Sequence, residues 1–403
     1  MLWLRTIVVL AAAAGLGWLV VVQGLTASAL LTNRPTAALS INPRSAEALS
    51  AAADQASAKN DVATAERLAR AALVRMPRDV RALRVLGLAS SSRGHHLLGS
   101  ELLLRAGTLS WRDPTVQLWL VYAALEQRNF TTAAQRLDAV LRLSLLPRDM
   151  LRQAHQIVQI PEMRTQMVER LGEEPTWRRD FMITRDTLSP GLEDAHLLLL
   201  QELRAREGEL RRREVVGFVQ QLVERGKPAQ ARRLWADSLT GEARGWAAQL
   251  VFDGDFRLDP ELEAAQPRYV FEWSLESGNG ATAMVGIPPN LIGESALKVH
   301  SGEAEHRVAS QTVMLRPGGH SLSYDALIGD GLSPQDFVWR VRCVRDNRSL
   351  RLSRAETRTV GSWLRSVQAF DVPADCPLQR IELGGLPARL GGTEAWFDHV
   401  GLQ

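Results

Sequence analysis

The spacing of hydrophobic residues changes near residue 250 of this 403-residue chain. Before that point apolar side chains recur every three or four positions, which is the period of one face of an α-helix. After it they alternate with polar residues in short runs such as Phe337–Val344, which are bounded by turn sequences such as Gly278-Asn279-Gly280. Such alternation predicts antiparallel strands. We therefore predict a multidomain chain of the class α then β, with an α-helical solenoid over residues 46–249 and an antiparallel β-sandwich over residues 250–403.

The first 24 residues form one apolar segment with a single charged residue, Arg5. A helix of about 20 apolar residues spans the hydrocarbon core of a bilayer, so residues 1–24 are predicted to form a transmembrane anchor. A cleaved signal segment is the alternative, because Ala27-Ser28-Ala29 has the small-x-small form of a cleavage site. Both alternatives export the rest of the chain. We expect a single-pass protein of a bacterial inner membrane with its bulk in the periplasm, or a secreted periplasmic protein if the leader is cleaved.

The two cysteines of the chain, Cys343 and Cys376, both lie in the predicted sandwich. In an exported protein, two cysteines within one domain predict a disulfide. Two buried free thiols are the alternative. Because the sequence contains no Cys-x-x-Cys pair, we expect neither a redox motif nor a zinc site at these cysteines.

Positive charge is spread along the chain rather than concentrated in one segment. The formal net charge is +3, from 48 Lys and Arg residues against 45 Asp and Glu residues. A DNA-binding domain concentrates its basic residues on one face or along one helix. The dispersed charge therefore predicts that the protein has no nucleic-acid partner.

The helical region contains a repeated pattern of small residues. It is preceded by residues 25–45, which mix Pro, Asn, Ser and Thr without a hydrophobic period and are predicted to be a linker. Small residues then recur with a period of about 34 residues, which is typical of stacked helix pairs. The residues that carry the pattern are Ala53, Ala65, Ala72 and Pro77, followed by Gly87, Gly99, Ala106 and Pro114. The region resembles the tetratricopeptide repeats, and this resemblance implies a concave groove that binds a protein partner.

The predicted sandwich contains four short motifs: Asp253-Gly254-Asp255-Phe256, Phe271-Glu272-Trp273, the run from Gln311 to Gly319, and Trp396-Phe397-Asp398-His399-Val400. They resemble motifs of the jelly-roll carbohydrate-binding modules and their galactose-binding-like relatives. The resemblance covers roughly residues 251–403 and implies a jelly-roll fold. These motifs determine how strands turn and close, and they specify no ligand. Arg257 departs from the family pattern, because Glu is common at this position.

The same resemblance implies a structural calcium ion, since family members often hold one between the opening loop and the final strand. Asp253, Asp255 and Asp398 would supply carboxylate oxygens, which calcium prefers as ligands. Arg257 removes one carboxylate from that set, and two or three carboxylates rarely complete a shell of about six to eight oxygens. A solvated turn and an ordinary closing strand are the alternative. Apart from this calcium, we expect no cofactor.

Three arginines of the sandwich are candidate ligand contacts. Alternation along Phe337–Val344 places Arg340 and Arg342 on the face opposite to the apolar residues. After the turn at residues 346–348, Arg351 is predicted to share their surface. Guanidinium groups form paired hydrogen bonds with carboxylates and phosphates, so an anionic polysaccharide or a lipid headgroup is the predicted ligand. A solvated outer face with ordinary cross-strand ion pairs is the alternative.

Tryptophans of the sandwich are candidate sugar contacts, because the C–H face of a sugar ring stacks on an aromatic side chain. Trp363 lies in a polar sequence, Gly-Ser-Trp-Leu-Arg, and is the candidate ligand contact among them, with a position in the core as the alternative. Trp339 and Trp396 alternate with aliphatic residues, and we predict that both lie in the core.

The sequence contains no catalytic motif. It has no HExxH, no P-loop, no GxSxG, and no GxGxxG that opens a helix after a strand. Our leading hypothesis is a non-enzymatic, membrane-anchored periplasmic scaffold. It would bind a protein partner through its helical repeats and glycan or another envelope component through its sandwich, for example in extracellular polysaccharide assembly or export. A purely protein–protein assembly factor with a structural sandwich is one alternative. A glycan-active enzyme with a cleft between the domains is the other.

Overall fold

The computed structural model describes residues 2–143, 148–258, 269–289, 294–300, 302, 304–329, 337–353, 362–385 and 394–403. Among these residues every helix precedes every strand, and the change from helices to strands follows residue 246. The predicted order, α then β, is therefore confirmed. By packing, the chain divides into two compact units, Met1–Trp177 and Arg178–Gln403.

The first helix, α1, spans Leu2–Leu31 and contains the apolar N-terminal segment. Its Ala13–Leu31 part is long and apolar enough to cross a membrane, with a mean hydropathy of 1.7. A second helix, α2 (Pro35–Ile41), packs against α1. Residues 25–45, which we expected to form a linker, are therefore helical over most of their length. Two local features allow the second helix to start here. Asn33 adopts a positive φ of 55° in the turn between α1 and α2, and Pro35 occupies the first position of α2, where a proline loses no hydrogen bond.

Three helical hairpins follow α2 in the first unit. They are α3 (Ala46–Ala58) with α4 (Val62–Arg75), α5 (Val80–Ser92) with α6 (His96–Leu109), and α7 (Pro114–Glu126) with α8 (Phe130–Leu141). Five of these helices begin after a capping residue whose side-chain oxygen accepts a hydrogen bond from a backbone N–H of the first turn. Such caps satisfy donors that the helix itself leaves unpaired. The capping residues are Ser45, Asp61, Asp79, Asp113 and Asn129.

The small residues of the repeat pattern lie where the paired helices touch. Ala53 and Ala65 are almost completely buried in the interface of α3 and α4. A Cβ atom placed on Gly99 of α6 would lie 2.7 Å from the carbonyl oxygen of Gly87 in α5, which is closer than real Cβ contacts. Only glycine allows this approach of the two helices. The predicted helix pairs are therefore present at the predicted positions.

Seven further helices complete the helical part of the described chain. Two of them, α9 (Arg148–Ile157) and α10 (Pro161–Leu171), belong to the first unit. The other five open the second unit, so they share a compact unit with the sheets. They are α11 (Arg178–Met182), α12 (Glu193–Glu207), α13 (Arg212–Glu224), α14 (Pro228–Ser238) and α15 (Gly241–Trp246).

The strands of the described residues form two five-stranded antiparallel sheets. The first contains, in order, β1 (Ser274–Leu275), β4 (His306–Val313), β9 (Gln379–Gly385), β6 (Phe337–Cys343) and β7 (Ser349–Leu350). The second contains β2 (Thr282–Gly286), β3 (Ala296–His300), β10 (Glu394–Leu402), β5 (Gly318–Ile328) and β8 (Leu364–Val372). Residues from both sheets, among them Trp339 and Phe397, form one apolar core. The predicted antiparallel sandwich is therefore confirmed.

A buried carboxylate joins the helices of the second unit to the sandwich. Glu272 is 6% exposed and accepts hydrogen bonds from Arg212 Nη1 of α13 at 3.0 Å and from Trp235 Nε1 of α14 at 3.2 Å. Burial raises the pKa of Glu272, and the Arg212 guanidinium opposes that rise. The Trp235 ring also packs against Phe252 and Phe271, with centroids 5.1 and 5.3 Å away. These contacts explain why α13 and α14 pack in one unit with the sheets.

Candidate ligand-binding face

Strand β6 presents two arginines on the outer face of the first sheet. Its residues alternate between buried and half-buried, with Trp339 and Val341 in the core and Arg340 and Arg342 outside it. This alternation follows from strand geometry, since successive side chains point to opposite faces. The structure thus places Arg340 and Arg342 together on one surface.

Neighbouring strands add further charged side chains to this surface. In the register of the sheet, Arg340 lies opposite Glu382 of β9, and Arg342 lies opposite Arg380 of the same strand. Arg307 of β4 lies on the other side of β9. We call Arg307, Arg340, Arg342 and Arg380 the arginine face. Sequence reasoning missed Arg307, Arg380 and Glu382, because the alternation within each strand does not show which strands become neighbours.

Glu382 lies at the centre of the arginine face and is 6% exposed. It accepts hydrogen bonds from Arg342 Nε at 3.1 Å, from Arg380 Nε at 2.5 Å and from Arg307 Nη1 at 3.4 Å. Charge-assisted hydrogen bonds of this kind are stronger than neutral ones and fix the guanidinium planes. One carboxylate therefore orients three of the four arginines.

Two further carboxylates, Glu305 and Glu276, lie beside the arginine face and are more exposed than Glu382. Glu305 Oε1 lies 2.5 Å from Arg340 Nη2, and Glu276 Oε1 lies 2.6 Å from Arg307 Nη2. Their side chains are 55% and 32% exposed, against 7% for Glu382. The four arginines therefore face three carboxylates, which leaves an excess of one positive charge on the described part of this surface.

The arginine face forms a shallow concavity of about 410 Å³. Gly384 of β9 lies close to the Arg340 guanidinium, because a Cβ atom there would lie 2.7 Å from Arg340 Nη1. Ligand sites commonly have volumes of about 300–1,000 Å³. Among the described residues that line the concavity, His306 is the one aromatic side chain, and the others are charged or amide side chains. Its chemistry favours an ionic ligand over one held by ring stacking.

Arg351 lies apart from the other two predicted arginines. It follows β7, is exposed, and lines a second concavity together with His320 and Phe370. Arg340 and Arg342 line the first concavity. The difference arises because β7 ends at Leu350, so the alternation of the hairpin does not continue to Arg351.

Trp363 lies against the other sheet. It is half-buried and packs on a small cluster formed by Ala296, Leu327 and Trp396 of the second sheet. Its indole nitrogen is buried and has no hydrogen-bond partner among the described residues. The structure therefore does not bring Trp363 to the arginine face. Trp396 is buried, as expected, but in this separate cluster rather than in the main core.

A disulfide stabilises the strand that carries Arg340 and Arg342. It joins Cys343, the last residue of β6, to Cys376 in the loop before β9, with Cα atoms 5.5 Å apart. Both cysteines are buried. The predicted pairing is present, and it holds β6 to the loop that leads into the strand of Arg380 and Glu382.

The predicted calcium ligands lie at one corner of the sandwich but do not form one group. Asp253 is buried, and its carboxylate accepts hydrogen bonds from two backbone N–H groups at 2.8 and 3.1 Å. The donor atoms that lie within 4.8 Å of one another belong instead to Asp255, Asp398 and His399. Burial raises the pKa of Asp398 to about 6, with a smaller contribution from the carboxylates of Asp255 and Asp325. This donor set fits calcium poorly, because it contains an imidazole nitrogen and few free oxygens.

The first unit contains a separate open groove of about 930 Å³ between the end of α1, α3 and the start of α5. Beside it, Arg84 of α5 forms ion pairs with Asp54 of α3 at 3.0 Å and with Asp113 before α7 at 2.9 Å. These ion pairs link three successive hairpins. Side chains of both charges line the groove, among them Glu47, Asp54, Arg78 and Arg81.

No protein-family model and no curated protein sequence matches the chain. Among solved structures, the xylan-binding domain CBM22-1 of Paenibacillus barcinonensis Xyn10C is similar over 32% of this chain and 84% of its own, with 16% identity and a TM-score of 0.26. PilF of Pseudomonas aeruginosa is similar over 56% of this chain and 94% of its own, with 22% identity and a TM-score of 0.30. YrrB, a tetratricopeptide-repeat protein with an unusual peptide-binding site, is similar over 51% and 90%, with 10% identity and a TM-score of 0.28.

Similarities of this size carry no information about a ligand or a partner. The chain spans only 56% and 21% of the length of two other matched structures, a carbohydrate-binding module and a phage tailspike domain. The architecture follows from the hairpins and sheets described above. The N-terminal helices are tetratricopeptide-like hairpins, and the C-terminal strands form a sandwich of the carbohydrate-binding-module type.

Proposed function

We propose that this protein is a non-enzymatic, membrane-anchored scaffold that binds a protein partner through its helical hairpins and an acidic glycan through the arginine face. The observation that carries the glycan part is the convergence of Arg307, Arg340, Arg342 and Arg380 on one concavity. The protein would act in the periplasm, for example in the assembly or export of extracellular polysaccharide. That process would bring an acidic glycan and the membrane together.

The charge of the arginine face supports an acidic rather than a neutral glycan. Three guanidinium groups share the Glu382 carboxylate, so N–H donors remain for a second anion. A uronate carboxylate would accept paired hydrogen bonds from such groups and balance the excess positive charge. A neutral glycan would need an aromatic stacking surface, and the lining residues that the structure describes include no Trp, Tyr or Phe.

The groove of the first unit supports the protein-binding part of the proposal. It is open, and its lining carries both positive and negative side chains. An extended peptide could pair its charged side chains with them. Its backbone would also present hydrogen-bond donors and acceptors along the whole groove. The Arg84 ion pairs hold the hairpins beside the groove in a fixed arrangement.

The N-terminal helix and the disulfide support membrane anchoring and export. Large apolar side chains of α1 are more than half exposed, among them Leu16, Trp18 and Val20. A soluble protein rarely exposes such a continuous apolar surface, whereas a bilayer would cover it. The Cys343–Cys376 disulfide fits an oxidising compartment, as the periplasm is.

Calorimetric titration of the full chain in detergent tests the glycan part. We expect oligogalacturonate, which is acidic, to bind and neutral xylo-oligosaccharide not to bind. Arg340→Ala and Arg342→Ala should each weaken binding about tenfold, the effect of losing a charge-assisted hydrogen bond to a charged ligand. Arg351→Ala is the matched control and should leave the affinity unchanged, because Arg351 lines the other concavity.

Equal affinity for neutral and acidic sugars, or a loss of binding only in Arg351→Ala, would contradict the proposal.

A second candidate function is a purely protein–protein assembly factor. It is favoured by the ion pairs of the arginine face, since every arginine there already has a carboxylate partner. Failure of all glycans to bind, together with a membrane or periplasmic protein held by the helical hairpins, would support that candidate. A rise in reducing ends during incubation with the glycans would reveal an enzyme instead.

A further inference from the structure

The opening loop and the last strand of the sandwich meet at one corner. The N–H of Val400 donates a hydrogen bond to the carbonyl of Gly254 at 2.9 Å. A Cβ atom on Gly254 would lie 2.0 Å from the carbonyl oxygen of Val400, so only glycine allows this approach. This is the corner at which the resemblance to carbohydrate-binding modules implies a structural calcium ion.

One of the three expected ligands, Asp253, has both carboxylate oxygens hydrogen-bonded to the backbone. One of its carboxylate oxygens accepts the backbone N–H of Arg257 at 2.8 Å, and the other accepts that of Leu258 at 3.1 Å. Its side chain is buried. Asp253 therefore caps the turn of the opening loop instead of facing a cation.

Two nitrogen-bearing side chains, Arg257 and His399, lie against the remaining carboxylates. Arg257 Nη2 lies 2.9 Å from Asp255 Oδ2. His399 Nδ1 lies 3.2 Å from Asp398 Oδ2 and 3.3 Å from Asp325 Oδ2. His399 adopts a positive φ of 49°, and the register of β10 shifts between Asp398 and Gly401. This irregularity departs from strand geometry, in which adjacent side chains point to opposite faces, and so lets His399 reach the Asp398 carboxylate.

We infer that Arg257 and His399 take the place of the calcium ion at this corner, so that the sandwich folds and stays folded without the metal. Arg257 stands where the family commonly has Glu, so the substitution both removes an anionic ligand and adds a cation beside Asp255. Calcium requires about six to eight oxygen ligands. Beside Asp253, the described part of the corner offers the carboxylates of Asp255, Asp325 and Asp398, and each already contacts a nitrogen atom of Arg257 or His399.

Side chains of the chain itself surround the carboxylates at this corner. Arg257 contacts Asp255, and Arg365 Nη1 lies 3.4 Å from Asp325 Oδ1. The imidazole of His399 lies between Asp325 and Asp398.

Thermal unfolding of the full chain, followed by tryptophan fluorescence in calcium chloride and in excess EGTA, tests the inference. We expect the same Tm for the natural protein in both solutions. Arg257→Glu restores the carboxylate and releases Asp255, so its Tm should rise by several degrees in calcium, because a ligand that binds only the folded state stabilises it. Arg316→Glu makes the same charge change on an exposed turn and should not respond to calcium.

A Tm of the natural protein that rises in calcium would overturn the inference. So would an Arg257→Glu protein that folds but does not respond, because Arg257 would then not be what replaces the ion. If Arg257→Glu does not fold, calorimetric titration of the natural protein with calcium decides: no binding is expected, and stoichiometric binding would overturn the inference. None of these outcomes depends on glycan binding, so they are separate from the test of the proposed function.

Discussion

A single buried carboxylate, Glu382, organises the arginine face. Three guanidinium groups donate to it, so their side chains are already oriented before a ligand arrives. Binding then costs less conformational entropy than it would with free arginine side chains, which lose rotamers when they are fixed. The same contacts lower the net charge of the face, so a ligand must bring at least one anionic group to gain from it.

Glu193 of α12 is a second buried carboxylate that cations hold in place. It accepts hydrogen bonds from Arg225 Nη1 at 2.5 Å, from Lys227 Nζ at 3.1 Å and from the N–H of Gly191 at 3.0 Å. Burial alone would raise the pKa of Glu193, but its hydrogen bonds and these cations outweigh burial and lower the pKa to about 2. Since the pKa of Glu in an unfolded chain is about 4.3, the folded state is stabilised when Glu193 is ionised.

The stability of the second unit should therefore fall in acid through Glu193. Its contribution is fully present above the unfolded pKa and is lost as the pH falls from about 4.3 to about 2. Glu193→Gln should lower the free energy of unfolding at neutral pH by about 2 kcal/mol, discounted for the partly exposed cations. The difference between the two proteins should shrink as the pH falls through this window. Urea titrations followed by circular dichroism would measure it.

Glu209→Gln is the matched control, because it removes the same charge from an exposed position between α12 and α13. We expect it to change stability by less than about 0.5 kcal/mol. A difference between Glu193→Gln and the natural protein that stays constant from neutral pH to acid would show that Glu193 stabilises the fold by packing rather than by its charge.

The alternation within β6 was enough to place Arg340 and Arg342 on the outer face of the sheet, because successive side chains of a strand point to opposite faces whatever the neighbouring strands are. It could not identify Arg380 and Glu382, because the pairing of β6 with β9 is set by tertiary packing and not by either strand alone. For the same reason the sequence did not show that Trp363 and the arginines lie on different sheets. The polar residues around Trp363 in sequence do not reveal that it packs on the second sheet.

At the scale of elements, the polar residues that suggested a linker are helix boundaries. Asn33 forms the turn after α1, Pro35 opens α2, and Ser45 caps α3. Pro, Asn and Ser are as typical of helix ends as of linkers, so composition alone does not distinguish the two. The small-residue pattern was more informative, because it depends on contact between two helices at a fixed spacing.

Gly99 gives the most direct test of that contact. A Cβ atom there would meet the backbone carbonyl of Gly87 as well as Ser91, and a carbonyl within a helix cannot move aside cheaply. We expect Gly99→Ala to lower the free energy of unfolding by about 1–3 kcal/mol. The measurement is a urea titration of the full chain.

Gly217→Ala in α13 is the matched control, because a Cβ atom there meets nothing within 4 Å. Alanine is the better helix former, so this change should raise stability by about 0.5–1 kcal/mol. If both substitutions stabilise the protein, then α5 and α6 do not approach each other as closely as described.

At the scale of the whole molecule, the hydrophobic period predicted the two classes of secondary structure but not the division into units. A period shows which face of an element is buried, and it does not show what covers that face. Helices α13 and α14 have the period of a solenoid, yet Arg212 and Trp235 contact Glu272 beside the sandwich. The sandwich should therefore be studied together with these helices rather than cut from them near residue 250.

Binding of an acidic glycan to the outer face of the first sheet can be measured by hydrogen–deuterium exchange of the full chain, with and without saturating oligogalacturonate. We expect slower exchange in β6 and β9, where Arg340, Arg342 and Arg380 lie, and no change in β5 and β8 of the other sheet. Slower exchange confined to β5 and β8, or no protection in either sheet, would show that the arginine face does not bind the glycan.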